Sequence, residues 1–92
     1  MMQAELTRLR EEIERLDGDI IAAIACRVQL ARDIGVAKRA LQLPTLDPAR
    51  EAAVVRRAVT TAREAGLSCE DEIRQIFWQL IGLSRRAQQG EA

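Results

Sequence analysis

Ninety-two residues bound the chain to one domain, about 12 Å in radius of gyration if folded as a compact monomer, and exclude a large multi-domain enzyme. Hydrophobic residues make up 48% but aromatics only 2%, so any core is built from Leu, Ile, Val and Ala, which favours helix packing over a β-sandwich. Fourteen basic residues balance fourteen acidic ones and His is absent, which argues against nucleic-acid or acidic-membrane binding and removes both the usual general base and the commonest metal ligand.

The first predicted helix runs from about Gln3 to about Leu41. Apolar residues recur at Leu6, Leu9, Ile13, Leu16, Ile20 and Ala23, then at Leu30, Ile34, Ala37 and Leu41, in alternating steps of three and four. Such a helix is roughly 58 Å long, nearly twice the ~30 Å diameter of a compact monomer of this size. A helix that overhangs its own domain needs a partner for its apolar stripe, so an intertwined homodimer is expected. Cys26 lies in this helix and Cys69 much later; with no CxxC pair, signal peptide or long apolar span, the chain reads as cytoplasmic, with both thiols reduced and buried as small hydrophobes.

Arg27 interrupts the apolar seam, and a guanidinium facing a core needs an anion. Lys38, eleven residues on, returns to within about 20° of the same direction. Ala31 and Gly35 lie between them on the neighbouring face, so two cations with little bulk between them outline a slot for a small dianion. The alternatives are that Arg27 snorkels to the bundle edge or pairs with a carboxylate, and that Lys38 is merely solvated. Thirteen of the fourteen basic residues are Arg, which singles out the one Lys as a chosen point charge. Arg10 lies about 100° round the helix and roughly 25 Å from Arg27, so the two cannot share a site within one chain. In an antiparallel dimer Arg8, Arg10 or Arg15 of the mate becomes available, and periodicity does not choose among them.

Pro44 breaks the pattern, and Asp47-Pro48 reads as an N-cap followed by Pro at the first helical position. The second predicted helix spans Pro48 to about Ala65, with a small apolar face of Ala52, Val55, Val59 and Ala62 and Gly66 as its stop. Glu51 favours the positive helix end, whereas Arg50 does not. Ser68 with Asp71 resembles a capping box for a third helix reaching about Gln88. Its core face is Ile73, Ile76, Phe77, Leu80 and Ile81, with Trp78 off the stripe. The same face then carries Ser84 and Gln88, neutral hydrogen-bonding groups where apolar ones are expected; fraying near Gly90 is the other account of Gln88. The fold class is all-α, one domain over residues 1–92. No activated nucleophile stands out, so the polar set suits binding and electrostatic stabilisation rather than covalent catalysis.

In order and spacing these residues resemble the all-helical chorismate mutases of the shikimate pathway. The resemblance rests on Leu9-Arg10-Glu11-Glu12-Ile13 leading to Leu16-Asp17, on Arg27, on Gly35-Val36-Ala37-Lys38, on Asp47-Pro48-Ala49-Arg50-Glu51, and on Phe77 through Gln88 with Ser84. It implies an isomerase of aromatic amino acid biosynthesis that converts chorismate to prephenate in one pericyclic step, without cofactor or metal. It further implies that Arg27 holds one substrate carboxylate, and Arg10 from the other protomer the second. Lys38 and Gln88 flank the ether oxygen, Glu51 and the backbone around Asp47 meet the ring hydroxyl, Ser84 assists a carboxylate and Arg50 the charge balance. Arg85 stands where an apolar pocket residue is common, Leu46 where a basic residue can occur, and the turn from Gly66 to Glu72 is one residue longer. Isochorismate pyruvate lyases and aminodeoxychorismate mutases share this fold. The other class of reading is a non-catalytic helical dimer, or a regulatory partner of another shikimate-pathway enzyme.

Overall fold

A computed structural model of the chain describes residues 1–91 and contains three helices among them: α1 (Met2–Ala40), α2 (Pro48–Glu64) and α3 (Glu70–Gln88). Their bounds match the sequence expectation within two residues. Asp47 caps α2 by accepting the Arg50 backbone N–H at 3.1 Å, with Pro48 at the helix start. The expected capping box at Ser68 does not form. Cys69 is the N-cap of α3 and makes no side-chain cap bond, leaving Glu70, Asp71 and Glu72 to complement the positive helix end by charge.

Each helix closes through a residue of positive φ. Gly66 (φ 86) ends α2, where the Leu67 N–H reaches the Ala62 carbonyl at 3.0 Å. At the end of α1 the same role falls to Gln42 (φ 57), a left-handed residue without glycine's freedom, and Leu43 N–H bonds back to the Lys38 carbonyl at 2.8 Å. That reversal returns the chain toward Lys38, which matters for the site below.

α3 packs on both other helices, whereas α1 and α2 make no direct packing contact among the described residues. α1 and α3 advance together, since Arg27 meets Leu80 and Ser84 while Lys38 meets Gln88. α2 runs opposite to α3, tied by Glu51 to Arg85 at one end and by Arg63 to Glu70 at the other. The small core consists of Ala31 from α1, Val55, Ala58, Val59 and Ala62 from α2, and Ile81 and Ala87 from α3. The molecule measures 61 × 25 × 16 Å with a radius of gyration of 16.9 Å, well above the ~12 Å of a compact chain this long.

The expected apolar seam is not the face α1 turns to α3. Leu6, Leu9, Ile13, Leu16 and Ile20 are all 43–59% exposed, and so are Leu30 and Ile34 further on at 62% and 48%. Ala31 and Gly35, one position round from Leu30 and Ile34, make the contact instead. Ile76, expected in the core of α3, is also exposed, and both Cys26 and Cys69 are exposed rather than buried.

Candidate active site

Arg27 reaches across from α1 to α3. Its terminal Nη1 donates to the Ser84 hydroxyl and to the Leu80 carbonyl at 3.2 Å. Desolvation lowers its pKa, and no carboxylate pairs with it among the described residues. A half-buried guanidinium satisfied only by neutral acceptors keeps its full charge available to an anion.

Lys38 and Gln88 form the second anchor. Lys38 Nζ donates to the Thr45 carbonyl at 2.8 Å and to Gln88 Oε1 at 2.9 Å. An ammonium has donors only, so it fixes which end of the amide faces it and leaves the Gln88 NH2 as a second donor beside the first. Gln88 is held by its backbone as well: Arg39 donates to its carbonyl at 2.7 Å, and a Cβ built on Gly35 falls 2.3 Å from that same oxygen. The expected role of Gly35 is thereby corrected. Its missing side chain makes room for the α3 backbone, while Ala31 alone borders the cavity.

At the start of α2, Glu51 is gripped from outside. Arg85 donates from Nε to Glu51 Oε2 at 3.1 Å and from Nη2 to Oε1 at 2.5 Å, a two-pronged pair that, through this hydrogen bond and the adjacent charge, raises the Arg85 pKa. Arg85, which stands where an apolar pocket residue is common, therefore lies outside the cavity lining and holds a carboxylate that is part of it.

Between α1 and α2, floored by α3, lies a cavity of about 460 Å³. Arg27, Lys38, Asp47, Arg50, Glu51, Ser84 and Gln88 all line it, seven of the eight expected site residues, with Leu30, Ile34, Val54 and Ile81 as apolar walls. Three cations and two carboxylates line it, and Arg85 stands behind Glu51 outside the lining, so the cavity carries a positive excess suited to an anion. A profile of the family described as chorismate mutase type II matches residues 9–89. The chain belongs to the chorismate mutase type II family.

Two curated relatives carry the name T-protein. That of Enterobacter agglomerans is 32% identical over 79 residues, covering 83% of this chain and 21% of its own; that of Haemophilus influenzae is 36% identical over 75, covering 78% and 20%. The chain thus spans about a fifth of the length of the curated relatives it matches. Among solved structures it is similar to a conserved hypothetical protein from Pyrococcus furiosus, with TM-score 0.72, 35% identity, and coverage of 90% of this chain and 93% of that one.

The eighth expected residue, Arg10, is exposed on the overhanging part of α1 and does not line the cavity. A second cavity of about 550 Å³ lies beyond Arg27 and Arg50, walled by Val54, Ala58, Ile73 and Phe77. Sequence reasoning missed the Thr45 and Leu80 carbonyls, which carry no side-chain signal, and the Arg85 fork, for which an Arg at an apolar position was the available sign. No group of His, Cys, Asp or Glu suited to a metal occurs among the described residues, and none of the helices is long and apolar enough to cross a membrane.

Proposed function

We propose that this chain rearranges chorismate to prephenate in a site completed by a second copy of itself. The ether C–O bond breaks as the new C–C bond forms within one molecule, so neither a proton donor nor a nucleophile is needed. The observation that carries this reading is the convergence of Arg27, Lys38, Glu51, Ser84 and Gln88 on one cavity, with Lys38 and Gln88 side by side as donors. Arg27 binds one substrate carboxylate with help from Ser84. Lys38 and Gln88 stabilise the negative charge that grows on the ether oxygen. Glu51 and the backbone near Asp47 accept from the ring hydroxyl, and Arg50 balances charge at the mouth.

The second carboxylate requires a further cation, and Arg10 of another copy supplies it. Support comes from the uncovered stripe Leu6 to Ile20 and from the apolar cavity beside Arg27 and Arg50, which offers a bed for that stripe. The enzyme works as a cytoplasmic homodimer on a small-molecule substrate, needing no cofactor.

The test follows the absorbance of chorismate with purified protein, with isochorismate in parallel and the products separated. Prephenate from chorismate is the expected result. Pyruvate from isochorismate alone would move the assignment to the lyases of this fold, and turnover of neither would favour a non-catalytic helical partner.

A further inference from the structure

Arg85 is not among the residues that line the cavity, yet both prongs of its guanidinium are committed to a carboxylate that is. The Glu51 side chain is 17% exposed and that of Arg85 40%, so the anion lies within and its counter-ion at the rim. Each carboxylate oxygen accepts in two directions. The fork takes one on each and leaves the other for a donor inside the cavity.

Charge changes what such an acceptor selects. A lone Glu51 attracts a cation, whereas Glu51 already paired with Arg85 is an acceptor with little net charge, and an ammonium brought to it meets the guanidinium behind. We propose that Arg85 is a specificity-determining positioning residue: it orients Glu51 toward the neutral ring hydroxyl and disfavours a substrate with an ammonium group on the same ring carbon. This rests on the reading that Glu51 meets the ring hydroxyl of chorismate. The sequence context fits, because Arg85 follows Ser84 directly on α3 and faces the first turn of α2, where Asp47 holds Arg50 and Glu51 in register.

The experiment compares the full chain with Arg85→Leu and Arg85→Gln. It measures kcat/KM for chorismate and the inhibition constant of the analogue whose ring hydroxyl is replaced by an amino group, protonated at neutral pH. Losing the fork should raise KM for chorismate about tenfold with kcat little changed, the scale of one hydrogen bond to a charged group. The amino analogue should bind about tenfold tighter, because Glu51 then faces it unpaired. Arg85→Lys, which keeps the charge but not the fork, should lose affinity for chorismate without gaining it for the amine. A merely structural Arg85 moves both ligands the same way, and that result overturns the proposal. Arg85→Gln keeps a hydrogen-bonding side chain and serves if Arg85→Leu fails to fold. If the unaltered chain turns over no chorismate, the underlying functional reading fails instead, and the two failures are told apart by that control.

Discussion

Gln88 Oε1 accepts from Lys38 Nζ at 2.9 Å, so the amide of α3 and the ammonium of α1 present their remaining donors side by side. A neutral amide donates without titrating, and wild-type activity should vary little with pH across the neutral range. In Gln88→Glu the carboxylate faces the same ammonium and donates only when protonated. An ordinary Glu titrates near 4.3, and the Lys38 charge favours the ionised form, which pushes the value lower. Activity at pH 7 should therefore fall by about 10²-fold and climb as the pH is lowered. A pH–rate profile of this variant that superimposes on the wild type would put Gln88 outside the site.

Arg27 carries a partly desolvated charge with no carboxylate beside it. Burial lowers its pKa, and its partners are a hydroxyl and a backbone carbonyl rather than a carboxylate. Arg27→Met removes the desolvated charge while keeping an unbranched apolar stem, so the melting temperature should change by only a few degrees. The rate constant kcat/KM should fall at least about 10²-fold, as should that of Lys38→Ala, because each deletes a preorganised cation. Thermal melts and steady-state kinetics on the same samples separate the two effects, and near-normal turnover in either variant would refute this site.

How much of this was legible in the sequence depends on what each residue had to contact. Asp47-Pro48 and Gly66 mark α2 because capping and left-handed closure are local chemistry, readable within a few positions. Ser84 and Gln88 were legible as polar breaks in an apolar face, and the cavity is where those breaks point. Gly35 misled, because a small residue marks a close approach without saying whether a ligand or a backbone makes it; here it is the Gln88 backbone. The capping box at Ser68 failed because the helix starts one residue later, with Cys69 as its N-cap, so Ser68 and Asp71 stand one position out of the register a box needs. Arg85 could be flagged but not assigned, since its partner is 34 residues away on another helix.

The close crossing of α1 and α3 makes Gly35 more demanding than its helical setting suggests. Alanine in place of glycine ordinarily stabilises a helix interior by about 1 kcal/mol. At Gly35 the added Cβ would lie 2.3 Å from the Gln88 carbonyl oxygen and 2.8 Å from its Cα, both backbone atoms that cannot rotate away. Overpacking of about 1–3 kcal/mol or more should outweigh the propensity gain, so Gly35→Ala lowers the melting temperature. It should also cut kcat, because α3 yields at the residue that carries the donor. Gly18→Ala, with nothing within 4 Å in the chain, is the control and should raise stability slightly. A stabilised, fully active Gly35→Ala protein would contradict the crossing geometry.

Arg10 gives the sharpest test of shared sites. It sits 17 positions before Arg27, roughly 25 Å along a rigid helix, and cannot reach the cavity of its own chain. Arg10→Ala and Arg27→Ala should each be nearly inactive and still dimeric. Mixed after unfolding and refolded together, they form heterodimers in which one site carries both lesions and the other carries neither. Random pairing makes about half of the dimers mixed, so about a quarter of all sites should regain full activity. Recovery at that level shows that Arg10 acts across the interface. No recovery despite heterodimers demonstrated by mass spectrometry would confine Arg10 to its own chain, and a monomer by light scattering at micromolar concentration would remove the shared site altogether.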